Sequence, residues 1–457
     1  MNSKGSDAQQ VGVAEPNRVR CICRAGARFS ISRHVAPRFG LWASELSGGI
    51  CVHATGDQFR LLIYSHDTFG LGHLRRCRAI AHALVDHRSD ISVLILSGSP
   101  IIGSYGFRPR VDFVRFPGVV KLRNGDYSPR GLDISIEDAI SIREKLIRAS
   151  AEAFRPHVFL VDKEPLGLRG EVGPTLEMLK NNGTRLVLGL RDIMDDQDQL
   201  AEEWDRKAAM PALENLYDNI WVYGSDRIYD PLAGLSVSNA VRRKIAYTGY
   251  LRRNFASGTN AGRSSPELPD NFVLVTTGGG GDGATLVDWV ISACEQYPSI
   301  PHNILIVMGP FMPAEMQSSF RARAAHLPRV QLTTFVPDLE RVMSRSSGVI
   351  GMGGYNTFCE ILAADKPALI VPRTVPRLEQ FIRADRMSKL GVVSMLVDDD
   401  DRSIAAMADA ISRLPHQASP SSVNLPGYLD GFQNINRIVD GWLGPGAGAQ
   451  RSLELVN

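Results

Sequence analysis

At 457 residues the chain is too long for one ordinary hydrophobic core, so two domains are expected. With 44% hydrophobic and 22% charged residues it has the composition of a soluble globular protein, which excludes a wholly disordered or fibrous chain. A net charge of +2 gives no push toward nucleic acid or an acidic surface, and no apolar run approaches the ~20 residues that a membrane span needs.

Residues 1–58 carry Arg18, Arg20, Arg24, Arg28, Arg33 and Arg38 with few acidic residues and no sustained hydrophobic period. Such an Arg-rich start resembles an organellar transit peptide in composition, but a disordered extension or a wrongly assigned start codon is the preferred reading, and the segment is left out of the fold. Cys21 and Cys23 have no second pair to complete a metal site, and the six cysteines show neither zinc spacing nor a disulfide framework. A reducing cytoplasm is expected on that ground.

From Phe59 the pattern changes. Residues 59–65 form a β-rich run, and His66-Asp-Thr-Phe-Gly-Leu-Gly-His73 leads into a helical pattern through Val85. Strands are predicted at 91–96, 111–116, 158–161, 185–190, 219–223 and 244–248, with a long amphipathic helix over 134–154. Residues 254–270, rich in Ser, Gly, Asn and Pro, read as a linker. A second alternation follows: strands at 271–276, 303–308, 330–335, 348–351 and 368–371, and helices over 284–296, 403–414 and 432–443. Strands alternating with helices imply parallel βαβ units. The expected organisation is an α/β chain of two Rossmann-like doubly wound domains, 59–253 and 271–445, facing across a cleft, with the last helix packing back on the first domain and a tail over 446–457. Open α/β sheets bind ligands at the carboxyl ends of their strands.

The motifs lie at such ends. Gly351-Met-Gly-Gly-Tyr-Asn-Thr-Phe-Cys-Glu360 is a strand, a glycine turn with Gly353 and Gly354, and a helix expected to start near Asn356 and Thr357 with Glu360 in its first turn. Amides exposed at a helix start attract anions, and a carboxylate beside them can accept hydrogen bonds from ribose hydroxyls. That combination is the mark of a nucleotide site. Thr276-Thr-Gly-Gly-Gly-Gly-Asp-Gly283 places Gly278, Gly279, Gly280 and Gly281 at another strand-to-helix turn. No Lys-Ser/Thr follows, so it is not a P-loop, and its glycines lack the spacing of a dinucleotide fingerprint. A plain flexible turn is the alternative. Gly70, Gly72 and His73 form a third such turn, where a histidine can act as a general base or merely bond locally. Asp162, Glu164, Arg191 and Asp192 lie just past strand ends; they can bind an acceptor or assist proton transfer, though solvated loop charges are the commoner explanation. Glu379 and Gln380, bracketed by Arg373, Arg377 and Arg383, follow the strand at 368–371. The run Asp398 to Asp401 reads as a solvated loop.

Taken together these pieces resemble the GT-B glycosyltransferases, with the closest likeness to family 28 and to a branch of predicted bacterial glycosyltransferases that share the His-Asp-Thr-Phe-Gly-x-Gly-His opening. The likeness covers roughly residues 59–440 and is strongest from 247 to 395. On it, the family's proposed base falls on His73, and Gly70 and Gly72 match its opening turn. The family's Thr-Gly-Asn-Pro-x-Arg corresponds to Thr248-Gly-Tyr-Leu-Arg-Arg253, with Arg253 at the arginine. Gly278 to Gly281 stand for its Gly-Gly-Ser-x-Gly loop, Phe335-Val336 for the pair whose backbone holds uracil, and Glu360 for the ribose-binding glutamate. Glu379-Gln380 replaces a Gln-Gln pair that holds the donor sugar; an ionised carboxylate accepts hydrogen bonds but cannot donate them.

The resemblance implies transfer of a hexosyl group, N-acetylglucosaminyl being one candidate, from a UDP-sugar co-substrate to an acceptor hydroxyl. It implies inversion and no metal or other cofactor. Gly70, Gly72, Asp162 and Arg191 are the expected acceptor or diphosphate contacts. The acceptor is open among polysaccharide, lipid-linked and small molecules; a lipid-linked one would bring peripheral membrane contact at the inner face, and nucleic acid is not expected. Two rivals share the fold: a UDP-sugar 2-epimerase or nucleotide-sugar hydrolase, which turns over donor alone, and a non-catalytic nucleotide-sugar-binding subunit, which binds UDP without turnover.

Overall fold

The chain is described here from a computed structural model over residues 58–66, 72–122, 126–252, 268–336, 338–399 and 402–443. Gly70, Arg253, Cys21, Cys23, nearly all of the expected extension, most of the expected linker and the expected tail lie outside these residues.

In β1 (Phe59–Ser65) neighbouring side chains take opposite faces, so Leu61 and Ile63 enter one apolar cluster while Leu62 and Tyr64 enter another. A strand buried on both sides reads as a continuous apolar run, which is why it was legible. The chain continues through α1 (Gly72–His87), β2 (Ile91–Ser97), β3 (Val111–Arg115), a hairpin of β4 (Val119–Lys121) and β5 (Tyr127–Pro129), α2 (Ile136–Phe154) and β6 (Val158–Asp162). It then forms α3 (Gly173–Asn181), β7 (Arg185–Arg191), α4 (Gln197–Arg206), α5 (Ala209–Asn215), β8 (Asn219–Tyr223), α6 (Asn239–Arg242) and β9 (Ile245–Tyr247). The sheet order is β3-β2-β1-β6-β7-β8-β9, all parallel.

The second half repeats this plan. It runs β10 (Phe272–Thr276), α7 (Ala284–Gln296), β11 (Asn303–Val307), α8 (Ala314–Ala324), β12 (Val330–Thr333), α9 (Leu339–Arg345) and β13 (Gly348–Gly351). After these come α10 (Tyr355–Ala364), β14 (Ala368–Ile370), α11 (Glu379–Lys389), β15 (Ser394–Met395), α12 (Ile404–Arg413) and α13 (Gly431–Leu443). The order β12-β11-β10-β13-β14-β15 is again fully parallel.

In each sheet the chain winds outward from one central strand and then crosses to its other side. The reversal falls between β1 and β6 in the first half and between β10 and β13 in the second. Loops diverge at such a point and leave a crevice at the strand ends. One apolar cluster spans both halves, from Leu61, Ile63 and Leu74 through Tyr250 to Phe272, Leu274 and Phe358. α13 returns to the first half, where Trp442 stacks on Trp221 with ring centroids 5.9 Å apart and Asn434 donates to the Thr248 carbonyl.

Candidate active site

On the second sheet, β10 and β13 lie side by side with Thr276 opposite Gly351. Residues 278–281 and 353–360 therefore leave the sheet at one edge, and a Cβ on Gly278 would stand 3.8 Å from the Thr357 hydroxyl. Two of the glycines are required by the backbone. Gly280 has φ +90° and a Cβ there would strike the Met308 carbonyl; Gly353 has φ +75° and a Cβ there would lie 2.8 Å from Ile370. The loop is anchored by Thr277, whose hydroxyl donates to the Met308 carbonyl at 2.6 Å, and by the Phe311 amide, which donates to the Gly279 carbonyl at 2.9 Å.

The helix after β13 starts one residue earlier than the sequence suggests. Gly354 is the cap, and Asn356 is the second residue of α10 instead of its start. The Asn356 side chain is spent elsewhere: its Nδ2 donates to the Gly72 carbonyl of the first half at 3.0 Å. Glu360 is accordingly in the second turn, not the first. It is 1% exposed, and its Oε1 accepts from Arg75 Nη2 at 2.7 Å; the same nitrogen donates to Glu340 at 2.8 Å. Arg75 belongs to α1, so the first half reaches directly to the expected ribose carboxylate.

Phe335 is 55% exposed while Val336 is buried, so this aromatic side chain stands out beyond the end of β12. Glu379 opens α11 and is 3% exposed. Its Oε1 accepts from Arg373 Nη2 at 2.6 Å, and the Arg373 amide donates to Gln380 Oε1 at 3.2 Å. Gln380 Nε2 is thereby turned toward Gly354, 3.9 Å from where a Cβ would stand. Burial pushes the Glu379 carboxyl up, but Arg191, Arg373 and Arg383 outweigh it and hold the group below its ordinary range.

On the first sheet, His66 follows β1, His73 sits at the start of α1, and Asp162 ends β6, across the same reversal point. His73 Nδ1 lies 2.5 Å from Asp162 Oδ2. Arg76, one turn along α1, closes on Asp162 with two bonds, Nε to Oδ1 at 2.9 Å and Nη2 to Oδ2 at 2.7 Å. A carboxylate accepts only, so the contact makes Nδ1 the protonated nitrogen of the neutral ring and leaves Nε2 with a lone pair. Arg76 Nη2, 2.9 Å from the same Nδ1, directs its hydrogen to the carboxylate. Burial pushes the His73 imidazole down to about 4, against the pull of Asp162 in the other direction. Asp162 is itself fully buried, but Arg76 and His73 overcome that cost and hold it ionised. A neutral imidazole oriented by a buried carboxylate is the arrangement of a general base.

The expectation that Asp162, Glu164, Arg191 and Asp192 are solvated loop charges is corrected. Asp162, Glu164 and Asp192 are buried, and Arg191 is half-buried. Asp192 takes two bonds from Arg383 of α11, at 2.8 and 2.6 Å, and one from the Tyr250 hydroxyl at 2.9 Å. Arg383 also donates to the Gly353 carbonyl at 2.8 Å. Glu164 accepts from Lys207 at 2.7 Å. Nearby, Arg377 pairs with Asp195 at 3.2 Å and with Glu203 at 2.8 Å. These residues stitch the loop before α11 to the first half. Sequence reasoning missed Arg75, Arg76, Glu340 and the bridging role of Arg383. The only available signal was the pair Arg75-Arg76, two residues after His73.

Comparison with known proteins agrees with this fold. Residues 272–421 match the glycosyltransferase family 28 C-terminal domain. The UDP-N-acetylglucosamine--N-acetylmuramyl-(pentapeptide) pyrophosphoryl-undecaprenol N-acetylglucosamine transferase of Phocaeicola vulgatus is 22% identical over 316 residues, 66% of this chain and 74% of that protein. The protein of the same description from Bacteroides thetaiotaomicron is 24% identical over 318 residues, 66% and 75% of the two chains. Among solved structures, a UDP-glucosyltransferase from Polygonum tinctorium superimposes with a TM-score of 0.57 at 15% identity, covering 88% of this chain and 98% of that one. The calicheamicin glycosyltransferase CalG4 gives 0.55 at 14%, covering 85% and 100%. Two parallel doubly wound sheets, with a match to the family 28 C-terminal domain over the second, give this chain the GT-B fold of a glycosyltransferase similar to family 28.

Proposed function

We propose that the protein transfers a hexosyl group from a UDP-sugar to an acceptor hydroxyl, with inversion at the anomeric carbon and without a metal. The observation that carries this reading is the direct contact between the two strand-end sites. Asn356 bonds the Gly72 carbonyl and Arg75 bonds Glu360, so the first turn of α1, which bears His73, abuts α10. The names of the two bacterial relatives supply the uridine diphosphate expectation.

In this reading the diphosphate lies against the amides of the glycine loop and of the first turn of α10, with Glu360 accepting from the ribose hydroxyls. Phe335-Val336 would meet the uracil. His73 Nε2 takes the proton of the acceptor hydroxyl as its oxygen attacks the anomeric carbon. The bond from that carbon to the diphosphate oxygen breaks, and UDP leaves with the electron pair. Loop amides and the helix dipole meet the charge that develops on the leaving oxygen. Because fixed dipoles serve that role, turnover is expected to be unchanged in excess EDTA; loss of activity restored by a divalent cation would overturn the metal-free reading. A cytoplasmic setting fits a UDP-sugar co-substrate.

Glu360→Ala tests the donor half. Removing a buried carboxylate that accepts ribose hydroxyls is expected to weaken UDP by about 10–100-fold, since hydrogen bonds to charged groups contribute about 1.5–3 kcal/mol. Calorimetric titration with UDP measures this, and an unchanged affinity would remove Glu360 from the nucleotide site. Turnover of a UDP-sugar with no acceptor present would move the assignment to a hydrolase or epimerase.

A further inference from the structure

Spacing along α1 separates two tasks. Residues three apart share a helix face. His73 and Arg76 turn to Asp162, while Gly72 and Arg75 turn to the second half. There a single nitrogen, Arg75 Nη2, donates to two carboxylates, Glu360 of α10 at 2.7 Å and Glu340 of α9 at 2.8 Å. Two acidic side chains from packed helices thus meet on one cation that the other half supplies.

The bridge bears on the ribose through charge. A carboxylate offers both oxygens to hydroxyl hydrogens only while it is ionised; once protonated, one oxygen becomes a donor. Two carboxylates drawn to one nitrogen repel each other when the cation between them is removed, and the less hydrated of the pair then takes up a proton. The Glu340 side chain is 20% exposed and that of Glu360 1%, so the proton falls to Glu360. Tyr105, between β2 and β3, is the other titratable group beside Arg75, with Arg78 over its ring at 5.1 Å; a phenol stays protonated around neutral pH. We propose that Arg75 and Glu340 are further determinants of the nucleotide site: Arg75, reaching over from the first half, keeps Glu360 ionised and fixed for the ribose hydroxyls, and Glu340 holds Arg75 there. Arg75 is in this role a positioning residue, acting through Glu360. This rests on the UDP reading above, and it makes nucleotide affinity depend on a side chain outside the matched C-terminal domain.

The test is calorimetric titration of the full chain with UDP at about pH 8, 7 and 6, each variant being compared with wild type at the same pH so that titration of the diphosphate itself cancels. Arg75→Gln keeps a donor and removes the charge. It should weaken UDP by about tenfold at about pH 7, the scale of one hydrogen bond to a charged group, and by more at the acid end of the range than at the alkaline end. Arg75→Lys keeps the charge, so its ratio to wild type should stay constant across the range. Adding Glu340→Gln to Arg75→Gln should restore most of the affinity and flatten the pH dependence, because the like charge is gone. Wild-type affinity in Arg75→Gln would overturn the proposal. So would a loss equal at every pH, a loss that Glu340→Gln does not relieve, or a pH-dependent loss in Arg75→Lys. Should Arg75→Gln fail to fold by circular dichroism, the Arg75→Lys profile decides. Failure of UDP to bind wild type, or wild-type affinity in Glu360→Ala, would instead refute the donor reading beneath it.

Discussion

Replacement of His73 by Ala is expected to lower turnover by about 10²–10⁴-fold, the usual contribution of a positioned general base, while UDP affinity stays within about twofold. The separation is expected because His73 bonds Asp162 of the first half and not the residues that line the glycine loop. The pH profile follows from the same geometry. The ring must be neutral to accept a proton, and burial holds it neutral down to about pH 4. The acid limb of kcat/KM should therefore fall near pH 4, with no loss between pH 8 and 6, where an exposed histidine titrating near 6.5 would already be losing function. Asp162→Asn should also impair turnover, because an amide can donate to Nδ1 and favour the wrong tautomer. Steady-state rates with any accepted acceptor decide the matter. A His73→Ala enzyme with wild-type turnover would remove this residue as the base.

The second large effect concerns stability. Arg383→Met should destabilise the protein by about 3–5 kcal/mol, the typical cost of leaving one charge of a buried pair unpaired. Asp192 would lose two of its bonds and the Gly353 carbonyl its donor, in a region where neither is open to water. The double variant Asp192→Leu with Arg383→Met should recover much of this loss, since no unpaired charge remains. Denaturant unfolding measures both. A single-variant loss under about 1 kcal/mol, the scale of a surface pair, would show that the pair is solvated and that the halves are not clamped there. Because Arg383 also holds the Gly353 carbonyl, the single variant should weaken UDP as well.

Why some of this was legible and some was not has a physical answer. β1, β6, β7 and β10 are buried on both faces, so each appears as an apolar run, and 59–65 matches the observed strand. The glycine turns were legible because positive φ and close approach demand glycine at Gly280 and Gly353. The hairpin at β4 and β5 was not, because strands of three residues carry too little pattern. α4 (Gln197–Arg206) is polar on most of its surface and buries only Leu200 and Trp204. The start of α10 was misplaced for a specific reason: asparagine is a favoured cap, but here Gly354 caps and Asn356 bonds across to Gly72. The contacts that assemble the site join residues far apart in the chain: His73 with Asp162, Arg75 with Glu360, Asp192 with Arg383. Single-residue patterns do not carry such pairings. The charges past the strand ends were read as solvated because most charges are, whereas the fold buries Asp162, Glu164 and Asp192 and pairs them with Arg76, Lys207 and Arg383.

The most direct test is a crystal structure of the protein soaked with UDP. The diphosphate should lie against the amides of Gly279 and Gly281 and the first turn of α10, with the ribose hydroxyls on Glu360. Diphosphate density anywhere other than the shared edge of β10 and β13 would contradict the proposed donor site.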